Sequence, residues 1–373
     1  MTKWLTAPLG DVIELAYGKS LPKGMRAVEG KIPVYGSNGI TGWHDEPLVN
    51  ESTIIVGRKG SAGAIQLVQE PCFPIDTTYF VRVRRGVEAE TKFLFYLLGR
   101  LDLSRLKTAT GVPGLNREDA YRELISLPPL PEQRRIVDLL SRAEGIVRLR
   151  REAEKKAAEL IPALFIDMFG DPATNPKGWP VRRVADFVKR FEGGKNIQAG
   201  SENGSAYRIL KVSAVTSGVY RESERKPSPD GYIPPASHIV RPGDMLFSRA
   251  NTEELVGATA VVEKTDGATL LPDKLWRFVW NEPVESAYMH ALFQSGHTRQ
   301  ELGKLSSGTS ASMRNISQGK LFALTMPIAP YSAQREFAER SAMMRSIQSQ
   351  QSNATAKAQA TFDALLADAF KSA

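Results

Sequence analysis

Cysteine is nearly absent from these 373 residues. Cys72 stands alone, so no intrachain disulfide can form, and one Cys with four scattered His cannot assemble a common structural zinc site. A reducing compartment fits that usage. Long apolar runs are missing as well. No stretch approaches the roughly 20 residues a membrane helix needs, and the opening MTKWLTAPLG has no apolar core behind a basic segment, so a cytoplasmic chain without a leader is expected. Neither sign of charge dominates, but 49 Lys plus Arg against 41 Asp plus Glu leave +8 and a pI near 9.4, which favours a polyanionic partner. With 42% hydrophobic and 24% charged residues the chain is globular, and its length is about two and a half typical domains.

Catalytic signatures are also lacking. The string GKS at Gly18–Ser20 resembles the end of a phosphate-binding loop, but that loop needs a glycine where this chain has Ile13. No GxGxxG follows a strand-like segment, and no Asn/Asp-Pro-Pro-aromatic tetrapeptide of the amino-methyltransferase kind is present. His238, His290 and His297 lack the i, i+4 spacing of metal ligands on a helix, and Glu154 with Lys156 reads as a solvated helix face. No catalytic residue and no metal site is expected.

What is present is a repeat. LPPLPEQRRI at 127–136 returns as MPIAPYSAQREF at 326–337, with two extra residues before Gln334. From there the offset is a constant 201: Gln133 falls on Gln334, Asp167 on Asp368, and Phe169 on Phe370. LGDVIELAYGKS from Leu9 matches VADFVKRFEGGKN from Val184 at an offset of 175. Apolar residues at Ile136, Leu140, Ala143, Val147, Ala157, Ile161, Leu164 and Met168 line one face of a long helix, which Pro162 should kink or restart near Leu160. The second helix carries a smaller, more polar seam through Phe337, Ser341, Met344, Gln351, Ala358 and Leu365.

The segments between the helices mix β-rich runs (STIIVG, YFVRV, KLWRFVW) with helical ones (TKFLFYLLGRL, ESAYMHALFQS). The class is therefore α+β: mixed α/β modules at 1–126 and 170–325, helical spacers at 127–169 and 326–373, and a Gly/Pro/Asn-rich boundary at 170–181. Basic and amide residues gather in Gly-rich loops. In the first module they are Lys19, Ser37, Asn38, Arg58, Lys59, Ser61, Asn116 and Arg117; in the second, Lys195, Lys211, Ser213, Arg249, Asn251, Arg314 and Asn315. Arg and Lys bind phosphates or guanine edges, Asn pairs with adenine, and Gly lets backbone approach a phosphate, so the set suits DNA reading. Each loop taken singly also fits an ordinary polar turn.

LPPLPEQRRIVDLLS with its long helix and FIDMFGDP, the partial copy ending LLADAF, and YGSNGI with IIVGRKGSAG together resemble the specificity subunit of type I restriction-modification systems over essentially the whole chain. The resemblance implies two target recognition domains, each reading one half of a bipartite double-stranded DNA site, separated by two long antiparallel helices with pseudo-twofold symmetry. It implies no catalysis in this chain. S-adenosylmethionine would belong to two docked methyltransferase subunits, and ATP and Mg to a restriction subunit where one exists. Gln133, Arg134, Ile136, Leu140, Phe165, Phe169, Gln334, Arg335, Phe337 and Phe370, on the repeated helices, are the expected docking residues. About 35 helical residues at roughly 1.5 Å each would make a rod near 50 Å, the length of about 15 base pairs. The rival readings are a scaffold that binds helical partners without DNA and a fused DNA-modifying enzyme.

Overall fold

Segments rich in β-branched and aromatic residues form sheets, and the helical spacers form helices, in a computed structural model that describes residues 4–27, 29–107, 113–201, 206–310 and 313–371. The chain divides into two units, 1–152 with 353–373, and 153–352. The division falls within the long helices, not at 170–181, because the ends of those helices supply core residues.

In the first unit the order is β1 (Leu5–Pro8), α1 (Leu9–Val12), β2 (Ile13–Tyr17), β3 (Ile32–Gly36), β4 (Gly39–His44), β5 (Thr53–Gly57), β6 (Ile65–Val68), β7 (Phe73–Pro74), β8 (Thr78–Val83), α2 (Thr91–Leu101), α3 (Arg117–Tyr121), β9 (Leu124–Leu127) and α4 (Leu130–Ala158). One sheet runs β2-β8-β5-β6 and a second runs β4-β3-β7, while β1 pairs with β9 to close the module. β5, TIIVG, is buried at every position, as expected of an inner strand. Its apolar face joins Phe93, Leu94 and Leu97 of α2 and Ile136 and Leu140 of α4 in one core. Phe370, at the other end of the chain, completes that core, its ring 5.5 Å from Phe93.

The second unit repeats the plan with α5 (Leu160–Phe169), β10 (Val181–Arg183), α6 (Val184–Phe187), β11 (Val188–Gly193), β12 (Arg208–Leu210), β13 (Arg225–Pro227), β14 (Met245–Ser248), β15 (Ala250–Asn251), β16 (Thr259–Val261), β17 (Thr269–Leu270), β18 (Leu275–Trp280), α7 (Ser286–Gln294), α8 (Gly296–Leu305), β19 (Ser307–Ser310), β20 (Met313–Asn315), α9 (Gln318–Ala323), β21 (Thr325–Pro327) and α10 (Tyr331–Ala369). Its sheets, β11-β18-β14-β16 and β13-β12-β17, match those of the first unit, and β10 pairs with β21 as β1 pairs with β9. In its core Phe165 of α5 packs edge-to-face with Phe337, and Phe169 with Tyr288 and Phe337. The repeat thus has a physical meaning. Phe169 and Phe370, 201 residues apart, are the same core plug in the two units, and removing such a ring costs roughly 3–5 kcal/mol.

The helix break is where Pro162 requires it. α4 ends at Ala158, Glu159 bridges, and α5 begins at Leu160, so Pro162 falls in the first turn of a helix, where an N–H would have no intrahelical acceptor. The Gly/Pro/Asn-rich segment lies inside the second unit. It is fastened there by the Trp179 indole donating to Phe169 O (3.1 Å) and by Asn175, whose Oδ1 accepts from Trp179 N (2.9 Å). Within the first unit Arg151 donates to Gln359 (2.8 Å), and within the second Gln348 donates to Ala157 O (2.8 Å), so each unit joins a stretch of α4 to a stretch of α10. No helix among the described residues is long and apolar enough to cross a membrane.

Candidate nucleic-acid interface

The three Gly-rich loops of the first unit are tied together by backbone. The Thr77 carbonyl accepts from Arg58 N (2.9 Å), Lys59 N (3.1 Å) and Ser37 Oγ (2.6 Å), which joins the β3–β4 hairpin turn to the loop after β5. Gly60 N donates to Pro113 O and Leu115 N to Arg58 O, both at 2.9 Å, bringing in the third loop. Lys19 bridges to Ile75 directly after Gly18, where an added Cβ would lie 2.1 Å from Ile75 O, so only glycine permits that approach. These ties leave Lys19, Asn38 and Lys59 exposed and Ser61 half-buried on one rim, and bury Ser37 as a brace.

At the centre of this rim lies an exposed aromatic ring. Tyr17, the last residue of β2, is 52% exposed and sits edge-on to Tyr79, centroids 5.1 Å apart. Arg58 and Arg117 lie against its ring at 5.4 and 5.0 Å. Arg58 is further held by Nε donating to Asp76 O at 2.9 Å. Asn116 caps α3 by accepting from Glu118 N (3.0 Å), which fixes the backbone from which Arg117 projects. Two cations on one exposed ring form a rigid, positively charged platform suited to phosphate or a base edge.

The second unit builds its counterpart from the same topology with different side chains. Arg249 donates from Nε to Asp273 O (2.7 Å), its N donates to Lys274 O (3.1 Å) and its O accepts from Ile316 N (2.9 Å), reproducing every backbone tie of Arg58. Its guanidinium lies 5.7 Å from the Trp276 ring and 3.4 Å from Asn315 Oδ1. Gly194 precedes Lys195 as Gly18 precedes Lys19, and Lys195 bridges to Pro272. The ring position of Tyr17 is Gly193, however, and Trp276 is almost fully buried.

The remaining second-unit residues are more constrained than expected. Lys211 is exposed at the turn after β12, and Ser213 donates to Glu224 Oε2 (2.7 Å). Asn251 accepts from Thr252 N (2.8 Å), and Arg314 donates to Gly308 O (3.3 Å) beside Glu253. Arg314 and Asn315 do not stand where Asn116 and Arg117 stand, although both pairs lie in Arg/Asn-bearing loops. Ile316 takes the place of Leu115, Ser317 caps α9 as Asn116 caps α3, and Gln318 stands where Arg117 stands. The offset is again 201, so extending the helix register backwards would have found it.

Behind this rim the second unit carries a buried charge cluster that the sequence did not signal. Arg277, 7% exposed, donates to Asp244 Oδ2 (2.9 Å), Glu192 Oε2 and the carbonyls of Ile239 (3.0 Å) and Ser237 (2.7 Å). Burial pushes the Asp244 carboxyl up, while Glu192, also partly buried, is held below the ordinary range by hydrogen bonds from Arg277 and Arg190.

Of the ten expected docking residues, eight are core. Ile136, Leu140, Phe165, Phe169, Phe337 and Phe370 are at most 5% exposed and lie in the clusters described above. Gln133 and Gln334 are equally buried and hold backbone: Gln133 Nε2 donates to Glu88 O and Pro128 O (both 2.9 Å) and its Oε1 accepts from Glu90 N (2.8 Å). Gln334 donates to Ala329 O (2.8 Å) and accepts from Glu285 N (3.1 Å). Side chains so engaged hold the cores of the two units and are not exposed for a partner. Arg134 and Arg335 are exposed. So are Leu139, Ile146 and Leu149 on α4 and Met343 and Ile347 on α10, apolar residues that face away from either core; Ile146 and Ile347 are 201 residues apart.

Residues 1–159 match the family described as Type I restriction modification DNA specificity domain. The chain is 30% identical over 202 residues to the type I restriction enzyme EcoEI specificity subunit of Escherichia coli, an alignment covering 53% of this chain and 34% of that protein, about a third of its length. It is 25% identical over 369 residues to the MjaVIII specificity subunit of Methanocaldococcus jannaschii, covering 90% and 85%. Among solved structures, the fold is similar to the S subunit of a type I restriction-modification system from M. genitalium, with 14% identity, TM-score 0.60 and coverage of 98% and 96%. A chain from a study of complex assembly and conformational transition of the type I R-M system is similar at 19% identity and TM-score 0.59, covering 99% and 98%.

Proposed function

We propose that the chain is a specificity subunit of a type I restriction-modification system and that each unit reads one half of a bipartite double-stranded DNA site. The observation that carries this reading is the paired rim: in both units the same backbone ties present an arginine on an aromatic ring beside a lysine that follows an obligatory glycine. Phosphate contacts from Lys19, Lys59, Lys195 and Lys211 would position the duplex, and the polar loops would reach base edges. The exposed apolar residues of α4 and α10, in place of the buried ones, would dock helices of two methyltransferase subunits. S-adenosylmethionine would be held by those subunits, and ATP and Mg by a restriction subunit where the system has one. The chain itself would be non-catalytic and cytoplasmic.

On this reading the helices set the half-site spacing. α10, with 39 residues, is about 58 Å long at 1.5 Å per residue. Inserting four residues after Arg150 and four after Gln351, 201 positions on, lengthens both helices by about 6 Å, close to two base pairs at about 3.4 Å each. Methylation mapping should then show the spacer grown by one or two base pairs with both half-sites unchanged. A fixed spacer would contradict the ruler. A scaffold that ignores DNA would show no salt-dependent shift with duplex, whereas the proposed reader should lose affinity steeply as salt rises.

A further inference from the structure

We infer that Arg117 and Gln318 are equivalent base-reading residues, Arg117 selecting guanine in the half-site of the first unit and Gln318 selecting adenine in that of the second. The inference rests on the DNA-reading function proposed above and specifies residues within it. Three observations lead to it. First, the two residues hold the same place. Each follows a capping residue, Asn116 or Ser317, and a buried apolar residue, Leu115 or Ile316, whose N donates to the carbonyl of the anchored arginine, Arg58 or Arg249.

Second, the anchored arginines and the residues that follow the caps differ in what they have left to offer. The Nε groups of Arg58 and Arg249 donate to the carbonyls of Asp76 and Asp273, so those arginines brace loops. The Arg117 guanidinium lies over the exposed Tyr17 ring, 5.0 Å from its centroid, and among the described residues its one hydrogen bond is from Nε to Glu118 Oε1 at 3.3 Å. Its two terminal nitrogens make no hydrogen bond among the described residues. Gln318 is exposed, and its amide has no hydrogen-bond partner among them.

Third, the chemistry of those edges is specific. A guanidinium offers two parallel donors, which match O6 and N7 of guanine in the major groove; a carboxamide offers one donor and one acceptor, which match N7 and N6 of adenine. A lysine in either place could serve a phosphate but could not discriminate these bases in two-point fashion. Contact with the Tyr17 ring and the hydrogen bond to Glu118 orient Arg117 before DNA is met, so less side-chain freedom is lost on binding. Gly193 in place of Tyr17 gives Gln318 no comparable shelf, so its preference should be the weaker of the two.

The test is methylation mapping in a host that expresses the full chain with its cognate methyltransferase, comparing the unaltered protein with Arg117→Gln and Gln318→Arg. Gln318 is exposed and Arg117 partly so, and the unfolding temperature of each variant is measured alongside. The expected result is that Arg117→Gln changes one position of one half-site from guanine to adenine, and Gln318→Arg changes one position of the other from adenine to guanine. Loss of the original base preference should be about five- to hundredfold, the discrimination of one two-point contact. If both variants keep the original motif and methylate all sites less, the residues hold phosphate and the inference is overturned. If the unaltered chain yields no bipartite motif, the DNA-reading function itself fails and the inference falls with it.

Discussion

Replacing Gln133 by alanine should destabilise the first unit by about 3 kcal/mol. The side chain is fully buried and makes three hydrogen bonds, two to the carbonyls of Glu88 and Pro128 and one from Glu90 N at the start of α2. Alanine leaves two carbonyls and one N–H in the core without a partner. A buried polar group stripped of its partner costs roughly 1–3 kcal/mol, and relaxation recovers part of the sum. Gln334→Ala removes two such bonds in the second unit and should cost about 2 kcal/mol. The exposed neighbour Arg134 is the control, its alanine variant expected within about 0.5 kcal/mol of the original. Urea unfolding resolves these differences. With a slope of about 2 kcal/mol per molar, Gln133→Ala should lower the midpoint by about 1.5 M. Equal midpoints for Gln133→Ala and Arg134→Ala would refute the assignment of this glutamine as a core clamp.

Other outcomes follow from the same geometry. Arg277→Ala should cost the second unit about 3–5 kcal/mol in unfolding experiments, because Glu192 and Asp244 lose their buried counter-ion; a cost below about 1 kcal/mol would mean the carboxyls are already neutral. Burial, with the Arg345 charge nearby, holds the His290 pKa at about 4, below the ordinary 6.5, and its ring shares a 2.8 Å hydrogen bond with Thr259. The unfolded chain therefore takes up this proton as pH falls from 6.5 to 4 and the folded chain does not, so stability present above pH 6.5 is lost across that window. The loss is at most roughly 3 kcal/mol, and His290→Gln should remove it; identical pH profiles for the two proteins would contradict the assignment. Replacing Ile146 and Ile347 together by serine should leave unfolding unchanged within about 0.5 kcal/mol while weakening co-purification with the methyltransferase; undiminished capture would place docking elsewhere.

Much of the fold was legible because duplication leaves a constant offset. Helix segments such as TKFLFYLLGRL and ESAYMHALFQS form α2 and α7, and the interruption at Pro162 was predictable from the missing N–H. Burial on the long helices was harder to read. An apolar stripe in a sequence does not say which core it enters, and the glutamines of the repeated Gln-Arg look like surface residues until their backbone partners are known. The site was legible by type more than by role. Glycine-rich basic loops pointed to the rim, but which arginine braces and which is free depends on the Asp76 and Asp273 carbonyls, contacts set by strand register. Tyr17, a strand-end aromatic, became visible as a platform only once Arg58 and Arg117 were seen against it. The Arg277 cluster draws its carboxylates from residues 33 and 85 positions away, a separation at which no local pattern can signal pairing.

The central claim, that two units of this one chain read two halves of a DNA site, is tested most directly by mapping adenine methylation with long reads in a host that carries the cognate methyltransferase, with and without this chain. The account predicts a bipartite methyl-adenine motif that is present with the chain and vanishes without it. Methylation that persists unchanged in its absence would contradict the account.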